Sequence, residues 1–299
     1  MTLKNTLIIG LSGVVLTTKE RKQLQHASVA GVILFKRNYE TPQQLMALTR
    51  SIHHVRPELL IGVDQEGGRV QRFLGGFTRL PAAYDIGKIY DQDPVEGLAN
   101  AHQMGLLMSH ELQQCGVNLC FAPVADLYTN FSKVIGSRAF HWDPEAVGQL
   151  VTSYFFGMKQ AGVMAVAKHF PGHGSIVGDT HVEQVIDNRS LEAIQQKDLL
   201  PFNALIHVGI PGIMAAHVVY PQVDSQPAGF SRIWLQHILR QQMGFKGLIF
   251  SDDMGMQAAK VAGDPIALVK RAQQAGCDKI LLCNEFEVIE SVLQQEGNQ

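Results

Sequence analysis

The feature that most constrains this chain is a regular alternation. Short apolar, β-branched runs recur along its whole length, each followed by a polar or glycine-rich turn and then a segment of helical periodicity. The spacing predicts strands over Leu7–Leu11, Gly31–Phe35, Leu59–Val63, Asn118–Pro123, Val163–Lys168, Gly212–Ala216, Gly247–Phe250 and Lys279–Cys283. It predicts helices over Thr18–His26, Pro42–His54, Gly97–Cys115, Pro144–Gln160, Leu191–His207, Arg232–Met243, Pro265–Gln274 and Phe286–Gln295. Thr41-Pro42, Asp143-Pro144 and Asp264-Pro265 each put a capping side chain before a proline at the first helical position. Gly162, Gly209, Gly244 and Gly276 stand where helices must stop. Eight strands alternating with eight helices in 299 residues is the economy of an α/β, single-domain (β/α)8 TIM-type barrel, a fold that needs ~250 residues. The competing open, doubly wound sheet usually carries a phosphate-binding glycine turn after its first strand, and Leu11-Ser12-Gly13 is too thin for one. With no linker or composition break, residues 1–299 are expected to form one domain.

A barrel makes a prediction that the sequence itself can test, because active-site residues gather just past the C-terminal ends of the strands. Asp64, Asp126, His169, His217, Asp252 and Asn284 follow six different strands. Histidines are not favoured turn residues, so turn chemistry does not account for this pattern. The densest stretch is Lys168-His169-Phe170-Pro171-Gly172-His173-Gly174, continuing to Asp179-Thr180-His181. The i, i+2 spacing of Asp179 and His181 lets the carboxylate hold one imidazole nitrogen while the other faces a substrate. Read from residue types alone, His169, His173, Asp179 and His181 are also legitimate zinc ligands, although their spacing lies across a Pro-Gly turn and not on a helix face. Ser251-Asp252-Asp253 ends another strand, and the spacing does not say which carboxylate faces the mouth. Asp64 with Arg69 and Arg72, and Gly136-Ser137-Arg138, offer acceptors and forked donors suited to a polyhydroxylated ligand.

Charge and composition exclude other classes. The net charge is −2, with no polybasic run, so neither nucleic acid nor an anionic membrane is an expected partner. Lys4 and the apolar run Leu7 to Leu16 lead straight into Thr17-Thr18-Lys19-Glu20 without a small-residue cleavage site, so a first core strand is expected there and not a signal peptide. No stretch approaches the ~18 apolar residues of a membrane span. Cys115, Cys120, Cys277 and Cys283 form no CxxC pair and are expected to be buried, reduced thiols in a cytoplasmic setting.

Taken together, VDQEGGRVQRF (63–73), FTRLPAA (77–83), FAPVADL (121–127), IGSRAF (135–140), KHFPGHG (168–174) with DTH (179–181), AAHVVY (215–220) and GFKGLIFSDDMGM (244–256) resemble the bacterial β-N-acetylglucosaminidases of glycoside hydrolase family 3. The resemblance implies a retaining mechanism with a covalent glycosyl-enzyme intermediate. It casts Asp252 as nucleophile and His181, paired with Asp179, as general acid/base. It casts Asp64, Arg72, Arg138, Lys168 and His169 as binders of the sugar, and His173 as structural. Thr180 stands where many relatives have Ser, a change that leaves the His–Asp pair intact. No cofactor and no metal are implied. The expected partner is a small carbohydrate or muropeptide substrate, N-acetylglucosamine joined to 1,6-anhydro-N-acetylmuramic acid, handled by a monomer. A phosphorylase, a metal-dependent barrel amidohydrolase and a non-catalytic sugar-binding module are the alternatives, separable by product analysis in phosphate, by chelator resistance and by binding without turnover.

Overall fold

The computed structural model of the protein describes residues 3–176, 185–255 and 265–297. Eight parallel strands close into a barrel. In chain order they are β1 (Leu7–Gly10), β2 (Val29–Leu34), β3 (Leu60–Val63), β4 (Leu119–Cys120), β5 (Met164–Phe170), β6 (Gly212–Ala215), β7 (Leu248–Asp253) and β8 (Lys279–Leu282). Each pairs in parallel with its sequence neighbour, and β1 closes on β8 through Leu7–Ile280, Ile8–Leu281 and Ile9–Leu282. All eight expected strands are present. The fourth is shorter than expected: regular pairing stops after Cys120, and the chain then stays beside β5 through the Val166 N–H to Ala122 O bond at 3.0 Å and an isolated bridge at Val124, opposite Lys168.

Alternation along the strands divides the core into two layers. Ile8, Ile33, Leu119, Phe121, Val166, Met214, Phe250 and Leu281 fill the barrel. Ile9, Val32, Ile61, Val63, Ala165, Ile213, Ile249 and Leu282 pack outward beneath the helices. Phe121 and Phe250 meet edge to face across the interior, with centroids 5.8 Å apart. Each such fully buried large side chain contributes on the order of 2 kcal/mol.

The outer helices start and stop where the sequence signals say. Thr41 and Asp143 cap helices Pro42–Val55 and Pro144–Ala161, and Gly162, Gly209, Gly244 and Gly276 all have positive φ. Asp264 lies outside the described residues. Two differences have clear causes. Helix Pro94–Gln114 begins three residues before the expected Gly97, with Asp93 accepting from Val95 and Glu96 N–H groups, which repeats the Asp-Pro signal. The expected Leu191–His207 helix is two pieces, Leu191–Gln195 and Leu199–His207. Pro201 has no N–H to give to Lys197, and an unbroken helix would need that bond. Helix Ala83–Gln92 was not expected; Ala82 at its cap position makes no side-chain bond, so no start signal marks it.

The four cysteines are buried free thiols. Burial pushes the Cys120 thiol up to about 12, so it is protonated at neutral pH and inert. Among the described residues no helix is long and apolar enough to cross a membrane.

Candidate active site

The inward-facing columns of the strands turn polar at the top of the barrel. On β3, Gly62 is followed two residues later by Asp64; on β5, Val166 by Lys168; on β7, Phe250 by Asp252. A period of two keeps each pair on one face, so the column that fills the core also delivers the charges. β3 and β7 are four strands apart in the eight-stranded order, which places Asp64 and Asp252 across the mouth from one another.

On the β3–β5 side the charges interlock. Lys168 Nζ lies 2.7 Å from Asp64 Oδ1 and 2.6 Å from Glu66 Oε1. Arg138 grips Glu66 with two N–H donors, at 2.7 and 2.8 Å, and Arg72 Nη2 donates to Asp64 Oδ2 at 3.1 Å. Side-chain exposure is graded through the cluster: Lys168 3%, Glu66 6%, Asp64 16% and Arg72 33%. Asp64 and Arg72 therefore reach the open mouth, while Lys168 and Glu66 form the floor. The structure brings the expected binders Asp64, Arg72, Arg138, Lys168 and His169 together. Glu66 was missed. It lies on the hairpin Gln65–Gly67/Val70–Gln71, and its partner Arg138 is 72 residues away; the only sequence signal was a second carboxylate beside Asp64.

Burial alone would raise the carboxyls of Asp64 and Glu66. The Lys168 and Arg72 cations hold Asp64 below the usual carboxylate range, and Arg138 with Lys168 holds Glu66 well below it. Burial pulls the Lys168 ammonium down, but Asp64 and Glu66 outweigh it and raise it. A carboxyl with a lowered folded pKa gives stability that is present above its unfolded pKa, ~4.3 for Glu, and is lost as pH falls through the folded value. Thermal midpoints measured from pH 7 to pH 3 should therefore drop in the native chain below about pH 4. Glu66→Gln should begin lower at pH 7 and drop less steeply; parallel curves would contradict this assignment.

Asp126, after β4, is buried beneath His169. Its Oδ2 lies 2.7 Å from His169 Nδ1, and its Oδ1 accepts the backbone N–H of His173 at 2.6 Å. His173 itself is buried, its ring 6.0 Å from that of His169, and burial lowers its pKa.

The Pro171–Gly174 turn is fixed by close backbone approach. Tyr220 Oη donates to Gly172 O at 2.7 Å, and Thr129 Oγ1 to Gly174 O at 2.5 Å. A Cβ on Gly174 would stand 1.8 Å from Leu127 O. Downstream, Arg189 clasps Asp187 and Asp198, and Ser175 Oγ donates to Asp198. The chain is thus anchored at Gly172–Ser175 and again from Val185, which pairs with Val218. Asp179 and His181 lie between these anchors, outside the described residues. Gly174→Ala should displace the anchor and lower turnover at least about tenfold, as a misplacement of ~1 Å does; unchanged kcat/KM would show that the anchor does not govern the site.

Of the adjacent aspartates, Asp253 is occupied by backbone. Its Oδ1 accepts from Cys283 N at 3.0 Å and Gly255 N at 3.1 Å. Burial raises its pKa. Asp252 Oδ1 accepts the Asp253 N–H at 2.8 Å, and alternation returns Asp252 to the face of Phe250. His217, fully buried after β6, stacks on Phe230 at 5.3 Å, and burial lowers its pKa against the opposing pull of Asp252 and Asp253. Asn284 Oδ1 accepts from Arg37 Nη1 at 2.8 Å. Among the described residues no three His, Cys, Asp or Glu side chains gather as a metal site requires.

Comparison with known proteins identifies this architecture. Residues 8–297 match the glycosyl hydrolase family 3 N terminal domain. A beta-hexosaminidase of Nitrosomonas eutropha is 51% identical over 288 residues, covering 96% of this chain and 83% of the relative. Another from Alkalilimnicola ehrlichii is also 51% identical, with the same coverage. NagZ from Neisseria gonorrhoeae, solved in complex with N-trifluoroacetyl-D-glucosamine, superposes with a TM-score of 0.93 at 42% identity, covering 99% of this chain and 86% of that one. The chain therefore belongs to glycosyl hydrolase family 3 and is a glycoside hydrolase of the β-hexosaminidase kind.

Proposed function

We propose that the protein is a retaining exo-β-N-acetylglucosaminidase that releases terminal N-acetylglucosamine from peptidoglycan fragments. Its substrate in this reading is N-acetylglucosamine joined to 1,6-anhydro-N-acetylmuramic acid, with or without peptide. It works as a monomer in the cytoplasm, without metal or cofactor. The observation that carries the reading is the meeting of Asp64, Arg72, Arg138, Lys168 and His169 on one side of a mouth that has Asp252 on the other. The N-trifluoroacetyl-D-glucosamine held by the Neisseria gonorrhoeae relative supports an N-acylated glucosamine as the sugar.

In this mechanism the cluster around Lys168 binds the glucosamine ring through its hydroxyls, with carboxylates accepting and guanidinium groups donating. Asp252 attacks the anomeric carbon as His181, in its protonated form, gives a proton to the leaving oxygen. A glycosyl ester on Asp252 results. His181, now neutral, takes a proton from water, the water attacks the same carbon, and Asp252 leaves with the β configuration restored. Asp179 stabilises the imidazolium and orients the ring between the two steps. The test is hydrolysis of a nitrophenyl N-acetyl-β-glucosaminide followed by NMR of the first-formed sugar. The β anomer is expected first; an α anomer, or no release of the glucosaminide, overturns the reading.

A further inference from the structure

Asp126 makes no ion pair to Lys168, Arg138 or Arg72 among the close contacts of that cluster, although its charge favours the Arg138 cation, and no step above uses it. It is nonetheless placed to control the sugar-binding histidine. Its carboxylate is fully buried, and its two oxygens are committed to different groups. Oδ2 meets His169 Nδ1 at 2.7 Å, and Oδ1 meets the His173 N–H at 2.6 Å, with the His169 N–H 3.3 and 3.4 Å from the pair. On the other side of the ring, Arg138 Nη2 lies 3.4 Å from His169 Nε2. A guanidinium has donors only, and an ionised carboxylate has acceptors only. The two contacts therefore agree on one tautomer, with the proton on Nδ1 and the lone pair on Nε2. Burial raises the Asp126 carboxyl, but the two histidines and the bonds they donate outweigh it and hold it below its ordinary value, so it remains an acceptor at neutral pH.

We propose that Asp126 is a positioning residue that locks His169 in the Nδ1–H tautomer, so that the Nε2 lone pair, which the Arg138 donor meets at 3.4 Å, can exchange that long contact for a hydroxyl proton of the sugar. The proposal rests on the reading of the mouth as a sugar site. It has a specific consequence for Asp126→Asn. An amide has one oxygen where the carboxylate has two. With that oxygen kept on the His173 N–H, the NH2 faces His169 Nδ1, and the ring must move its proton to Nε2, against the Arg138 donor. Turned the other way, the NH2 opposes the His173 N–H. Either arrangement loses a contact that the carboxylate makes.

The experiment has two arms. In the first, chain labelled with 15N-histidine is read by long-range 1H–15N correlation, with His169→Gln identifying the signal. The native chain should show a protonated Nδ1 and a bare Nε2 on His169, and Asp126→Asn, with its oxygen kept on the His173 N–H, should reverse them. A native Nε2–H tautomer overturns the proposal, and this arm needs no turnover. In the second, kcat/KM on a nitrophenyl N-acetylglucosaminide is measured for Asp126→Asn, His169→Ala and the double variant. Asp126→Asn alone should cost about 10- to 100-fold, the range for groups that orient a histidine ligand, and under about threefold in the His169→Ala background, as residues acting through one another do. Equal losses in both backgrounds would make Asp126 a structural residue only. Absence of glucosaminide hydrolysis in the native chain would defeat the functional reading while leaving the tautomer result to stand by itself.

Discussion

Asp252→Ala is expected to fold normally and to lose hydrolysis of a nitrophenyl N-acetylglucosaminide by roughly a thousandfold or more, the scale at which a covalent nucleophile is missed. Two local facts shape this expectation. The bond from the Asp253 N–H to Asp252 Oδ1 is local to the end of β7 and does not itself tie that strand to another. Asp253, by contrast, ties β7 to the Cys283 backbone, and Asp253→Ala should lower the thermal midpoint as well as activity. Near-normal turnover by Asp252→Ala would refute the nucleophile assignment.

The second large effect is expected at Lys168. Lys168→Met keeps most of the side-chain volume and removes the cation that bridges Asp64 and Glu66. The Asp64 and Glu66 carboxylates then stand near each other with Arg138 and Arg72 alone to balance them. Breaking one partner of a buried ion pair costs about 3–5 kcal/mol, part of which Asp64 escapes by its exposure. A clear fall in denaturation midpoint is expected, together with a rise in KM, since Asp64 loses the partner that orients it toward the sugar. Retained midpoint and KM would mean that Lys168 neither holds the floor nor orients Asp64.

Much of this arrangement was legible in the sequence because two simple periods govern it. Strand alternation and Asp-Pro or Thr-Pro starts located the eight barrel strands and most helices, and strand exits located Asp64, His169 and Asp252. What the sequence left open depended on distant contacts. Glu66 sits past the end of β3, on a hairpin where alternation no longer applies, and only the fold brings it to Arg138 and Lys168. Spacing alone does not tell Asp252 from Asp253, because the bond that occupies Asp253 comes from Cys283, just past the end of β8. Asp126 was visible as a strand-exit carboxylate, but its grip on His169 and His173 depends on a turn whose shape no spacing rule encodes. The break before Leu199 was marked by Pro201 and could have been read. The acid/base assignment of His181 with Asp179 rests on their i, i+2 spacing and on the resemblance, both residues lying outside the described ones.

Trapping the intermediate tests the central claim most directly. A 5-fluoro N-acetylglucosaminyl fluoride slows both steps, because the ring fluorine destabilises the oxocarbenium-like transition state while the fluoride still departs. Peptide mapping of the labelled protein should place one N-acetylglucosaminyl adduct on the peptide containing Asp252. An adduct on another carboxylate, or steady turnover with no covalent species at all, would contradict a mechanism through Asp252.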